Sequence, residues 1–101
     1  SIRGCYAFRG VLSGAKLVGA DLSGADLTGA AAENADFSKA KLAGTRLSGA
    51  TLRFAVFAEA DMAGADLANA DVWSANFAQV RNRPASVQEA LIEPFVARER
   101  R

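Results

Sequence analysis

The side chains most able to do chemistry here are carboxylates, and they fall on a beat. Asp21, Asp26, Asp36, Asp61, Asp66 and Asp71 each follow an alanine and lie at multiples of five residues from one another. Two carboxylates can act together as general acid and base, but only where a cleft pushes their pKa values apart. A strict beat argues otherwise. These residues recur because a short unit recurs, and that places them along a convex wall. The chain has no histidine, so neither a Ser–His nor a Cys–His pair can form. Cys5 is the single cysteine, which excludes an intrachain disulfide, and without a neighbouring base it is expected to be an inert small residue. No metal-ligand spacing occurs. The glycines of GADLSGADLTGA keep the same beat, which makes them turn residues rather than a phosphate-binding loop. No catalytic residue, metal, cofactor or small-molecule substrate is expected.

The elements that carry these residues must serve a period of five, which suits neither an α-helix nor a flat strand. Every fifth residue from Gly10 is small: Ala15, Ala20, Ala25, Ala30, Ala35, Ala40, Thr45, Ala50, Ala55, Ala60, Ala65, Ala70 and Ala75, ending at Val80. Two residues on, the companion series is large and apolar: Leu12, Leu17, Leu22, Leu27, Ala32, Phe37, Leu42, Leu47, Leu52, Phe57, Met62, Leu67, Val72 and Phe77. The register never slips, which is the mark of a repeat architecture. Each unit buries one large and one small side chain and exposes three residues. One unit can bury nothing alone, so units must coil and stack. Thr45 brings a hydroxyl into a small inward slot and must find a backbone acceptor. Ala32 leaves its slot short of volume, so a local void or an inward shift of the wall is expected there.

The segments ADLSG, ADLTG, ADFSK, ADMAG, ADLAN and ANFAQ match the A(D/N)LXX motif, and over Gly10 to Gln79 the chain resembles the pentapeptide repeat proteins. The resemblance implies an all-β fold, a right-handed quadrilateral parallel β-helix in which four pentapeptides make the sides of one coil. Residues twenty apart then become neighbours. Outward charges fit this: Asp21, Lys41 and Asp61 alternate in sign, as do Asp26, Arg46 and Asp66, while Lys16 precedes Asp36 and Glu33 precedes Arg53 and Trp73. Lys39 likewise lies beside Glu59. Opposite charges facing each other across a ladder stabilise it by about 0.2–1 kcal/mol per pair. Inside, Leu17 should head a column of Phe37, Phe57 and Phe77, beside a column of Leu27, Leu47 and Leu67.

Three segments are expected: an N-terminal cap or partial repeat over 1–9, the repeat solenoid over 10–80, and a helical cap with a basic tail over 81–101. Pro84 ends the beat. Ser86 and Glu89 have capping-box spacing, which predicts a helix from near Val87. Val87, Leu91 and Phe95 would share a face laid over the last coil, with Pro94 dividing the helix. Ile2, Tyr6 and Phe8 could cover the first coil.

The net charge of +1 excludes a strong global field for nucleic acid. No apolar run is long enough to span a membrane, and no signal peptide is visible. Ser1 is expected to mark a domain boundary, and a cytoplasmic, bacterial setting is favoured. One wall departs from the polar pattern: Val11, Ala31 and Thr51 precede Asp71, with Phe54 and Trp73 outward on the same side and Val56 around the corner. Val11, Phe54, Val56 and Trp73 are thus candidate interface residues, open to cover by the chain's own termini, a second copy, a foreign protein or nothing. The expected function is a structural or protein-interaction module, with a protein partner or self-association. The alternative implied by the resemblance is a DNA mimic that binds a type II topoisomerase (gyrase). The repeats carry eight acidic residues against five basic ones, a weak charge for that role. At ~4.8 Å per coil the rod would be short, roughly 17 Å.

Overall fold

A computed structural model describes residues 10–86 as a β-helix solenoid. Its backbone pairs are all parallel and twenty residues apart, and they form four walls. Wall 1 stacks Val11, Ala31, Thr51 and Asp71, and wall 2 stacks Lys16, Asp36, Val56 and Asn76. Wall 3 stacks Asp21, Lys41, Asp61 and Arg81, and wall 4 stacks Asp26, Arg46 and Asp66. Each side of a coil contributes one paired residue and its successor. Arg46, for example, donates its N–H to the Ala25 carbonyl in the coil below at 2.9 Å. Leu47 donates to the Asp66 carbonyl in the coil above at 2.7 Å.

A corner follows each side. The small inward residue donates back to the large one of the preceding unit, as from Ala25 N–H to the Leu22 carbonyl at 3.0 Å. The residue before the small one is left-handed in every unit, with φ between 56° and 72° from Gly14 to Gln79. Seven of these corner residues are Gly, which reaches that region without strain. A Cβ at Gly14, Gly19, Gly24 or Gly49 would meet nothing within 4 Å, so backbone angle alone selects glycine there.

Side-chain direction follows from this geometry. The small and large series point inward and form one core, fully buried from Leu22 to Met62 at the inward positions. Phe37, Phe57 and Phe77 stack as a column with ring centroids 5.0 Å apart and planes within 6°. That spacing matches the separation of neighbouring β-strands. Thr45 is buried and its hydroxyl donates to the Leu22 carbonyl at 2.8 Å, the acceptor its position required. Leu17 is a correction to the expected core, because it is only partly buried. It belongs to the first described coil, with no other described coil beneath it. The helix expected from Val87, with Leu91 and Phe95, lies outside the described residues. So do Cys5, Ile2, Tyr6 and Phe8.

Candidate interaction wall and the turn-capping aspartates

The aspartates do have a partner, but it is their own backbone. In each pentapeptide one N–H, that of the residue after the large inward one, lies outside the ladder. Asp21 accepts it from Ser23, Asp26 from Thr28, Asp36 from Ser38 and Asp66 from Ala68, all at 3.0–3.1 Å. Asp61 and Asp71 accept it from Ala63 and Trp73 at 3.2 Å, and Asn76 from Ala78 at 2.9 Å. These are Asx turns, and they explain why the motif takes Asp or Asn at this position. Thr28 and Ser38 add a hydroxyl bond to the same carboxylate oxygen.

Hydrogen bonding holds several of these groups ionised. Asp26 is pushed below its ordinary value of 3.8 by the Thr28 hydroxyl and then the Thr28 amide; burial opposes them, and Arg46 adds a smaller pull. Asp36 is lowered in the same way by Ser38, with Lys16 contributing least. Asp61 is lowered by the Asn82 side-chain amide, then by the Ala63 N–H, with Arg81 last. A carboxylate held this way is a poor proton donor near neutral pH, which is the opposite of general-acid tuning.

Arg46 and Lys16, the smallest of the causes that lower Asp26 and Asp36, stand beside them in the charge ladders. Their register is real, since Asp21–Lys41–Asp61 and Asp26–Arg46–Asp66 are backbone neighbours. The carboxylates nevertheless turn toward their own corners, because a short side chain reaches an amide two residues on more readily than a base one coil away. Arg53 does not keep to the Glu33–Arg53–Trp73 file. Its Nε donates to Asp71 Oδ2 at 2.6 Å, diagonally across wall 1, where both side chains are substantially exposed. Exposed pairs contribute little, about 0–1 kcal/mol.

A pH prediction follows. Because folding lowers these pKa values, their contribution is fully present above the unfolded value near 3.8 and is lost as pH falls through the folded values. Asp36→Asn should keep the corner cap, as Asn76 does, and should flatten the acid limb of stability below pH ~4. Asp36→Ala should lower stability at neutral pH by about 1 kcal/mol. Urea titrations at pH 7 and pH 3 check both. Equal losses for Asn and Ala at pH 7 would contradict the cap.

Of the four candidate interface residues, Val11 lies on wall 1, Phe54 and Trp73 follow that wall in successive coils, and Val56 lies on wall 2. Val11 is 81% exposed and Phe54 is 52% exposed, while Val56 and Trp73 are half-buried. The Phe54 N–H donates to the Trp73 carbonyl at 3.0 Å, which binds the two into successive coils. Phe54 also occupies the left-handed corner slot, with φ 61°. A bulky side chain there is a genuine outlier costing about 1–2 kcal/mol, and Asn34 fills the equivalent slot one coil below. Val18, 57% exposed at a corner beside wall 2, escaped the sequence reading. Its outward place on the five-residue beat was the signal available.

Among the described residues no group of three or more Asp, Glu, Cys or His side chains could hold a metal ion. Lys39, Glu59, Gln79 and Arg81 line a shallow depression along one corner, where the expected Lys39–Glu59 neighbours sit. Among the described residues no helix is long and apolar enough to cross a membrane.

Comparison with known proteins agrees with this geometry. The family model for pentapeptide repeats matches residues 11–44 and 45–81, with 8 copies. The structure is similar to that of a pentapeptide repeat protein from the thylakoid lumen of Arabidopsis thaliana, with a TM-score of 0.75 and 27% identity. That match covers 81% of this chain and 59% of the other. HetL, a pentapeptide repeat protein involved in heterocyst differentiation regulation in the cyanobacterium Nostoc, is 26% identical over 78% of this chain and 45% of its own, with a TM-score of 0.28. The chain thus spans less than two thirds of either protein. No curated protein matches it. With eight repeat copies over most of its length and the coil geometry they require, the chain belongs to the pentapeptide repeat family.

Proposed function

We propose that this chain is a non-enzymatic interaction module whose contact surface is the wall 1 corner around Phe54 and Trp73. One observation carries the reading: Phe54 keeps an exposed aromatic ring in a backbone slot that favours glycine or asparagine. Backbone strain of this kind clusters where a residue serves a role outside the fold. Trp, Phe and Arg are also the residue types that anchor protein interfaces, and Arg53 stands beside them. The partner is a protein, either foreign or a second copy.

Phe54→Asn supplies the test, because it removes the ring and suits the left-handed slot. The variant should be at least as stable as the parent by thermal melting and should lose association. Light scattering separates the two partners: a parent dimer split by Phe54→Asn means self-association, and a parent monomer directs the search to a foreign protein. A drop in stability would overturn the reading, since the ring would then serve the fold itself.

Val72 and Phe77 are buried in the last described coil. At the start Leu22 and Leu27 are buried while Leu12 and Leu17 are only partly so. Little favours the DNA mimic, because wall 3 and wall 4 interrupt their acids with Lys41, Arg46 and Arg81. No effect on gyrase supercoiling at micromolar protein would eliminate it.

A further inference from the structure

The exit from the last coil contains a substitution of side chain for backbone. Wall 4 runs Asp26, Arg46, Asp66, so position 86 is its next member by register. Two bonds define membership. Arg46 and Asp66 each donate their N–H to the carbonyl of the small residue twenty-one positions earlier, Ala25 and Thr45. Each also offers its carbonyl to the N–H nineteen positions earlier, as Arg46 does to Leu27 and Asp66 does to Leu47. A strand residue at 86 would therefore donate to Ala65 and accept from Leu67.

Ser86 makes both bonds with one atom. Its hydroxyl donates to the Ala65 carbonyl at 2.9 Å and accepts from the Leu67 N–H at 3.1 Å. The backbone of Ala85 and Ser86 is meanwhile already helical. A hydroxyl is the smallest group that can both donate and accept, which is what the two orphan groups require. Neighbouring exit residues act alike: Asn82 donates its side-chain amide to Asp61 Oδ1 at 2.9 Å, and Arg83 Nη2 donates to the Phe77 carbonyl at 3.1 Å.

We infer that Ser86 is the ladder terminator of wall 4: its hydroxyl replaces the next strand, lets the backbone leave for a helical turn, and closes that edge to pairing with another chain. An open β-edge is a template for association, and solenoids need their ends blocked. This goes beyond the role proposed for Phe54, which lies at a different wall.

Amide hydrogen exchange tests it residue by residue. In Ser86→Ala the Leu67 amide should exchange at least tenfold faster, while Leu47, bonded one coil deeper, keeps its protection. Ser86→Thr retains the hydroxyl and should restore Leu67. Light scattering of the same proteins reads the edge: Ser86→Ala should gain mass with concentration relative to the parent, and Ser86→Thr should not. Unchanged Leu67 exchange in folded Ser86→Ala overturns the terminator, as does failure of the threonine to rescue it. A deprotected Leu67 with no gain in mass overturns the edge-closing role. Because Phe54 is intact throughout, failure here leaves the wall 1 test untouched.

Discussion

Truncating Phe57 to alanine should lower stability by about 3–5 kcal/mol, a large share of what a domain this small possesses. Phe57 is completely buried at the middle of the aromatic column, stacked on Phe37 below and Phe77 above at 5.0 Å on each side. The change removes a ring from a core that cannot collapse inward, because closed ladders hold the walls apart. It also removes two aromatic contacts, each contributing about 0.5–1.5 kcal/mol beyond burial. In a quasi-one-dimensional fold the damage lies between neighbouring coils. The urea transition should therefore broaden as well as shift. Phe57→Leu should cost much less, since Leu17 occupies the same column in the first coil. A loss under about 1 kcal/mol for Phe57→Ala would mean that the column does not couple the coils.

The second large effect comes from one substitution made in two places. Ala40 and Ala32 are both completely buried alanines, yet they stand in different series. Ala40 belongs to the small column with Ala20 and Ala60, beside the corner where the Asp61 N–H meets its carbonyl at 3.0 Å. A leucine there must displace Phe37, Leu42 or the wall, and should cost about 1–3 kcal/mol by overpacking. Ala32 belongs to the large column with Leu12 and Leu52. One coil on, Leu52 sits beside Phe57, so a coil of this solenoid accommodates Leu and Phe as neighbours. Ala32→Leu should therefore fill space and add about 1–2 kcal/mol, at ~0.8 kcal/mol per buried methylene.

Particular residues show what could be read in advance. The two inward series and the need for a Thr45 acceptor follow from the five-residue beat, while the twenty-residue pairing and the Phe37–Phe57–Phe77 column follow from the four-sided coil that the family resemblance implies. The purpose of the aspartates was not visible, because a beat shows that Asp26 recurs without showing which N–H it serves. That required knowing which donor the ladder leaves over. Arg53 was assigned to the file of Glu33 and Trp73, whereas a long flexible base chooses Asp71 by reach rather than register. Phe54 shares its place on the five-residue beat with seven glycines, so the beat implies its left-handed backbone as well as its outward side chain. Local spacing marks Ser86 as a helix cap, while counting twenty from Asp66 makes it the next member of wall 4. The outward residues are free of the packing rules that make the core legible, so nothing in the repeat specifies what the surface proposed at wall 1 would bind.

The central claim is that two inward series, one small and one large, close the coil. Urea denaturation of the parent, Ala40→Leu and Ala32→Leu, followed by circular dichroism, tests it most directly. The account predicts opposite shifts, with the midpoint falling for Ala40→Leu and rising for Ala32→Leu. Two shifts of the same sign and size would contradict it, because the two alanines would then occupy equivalent environments.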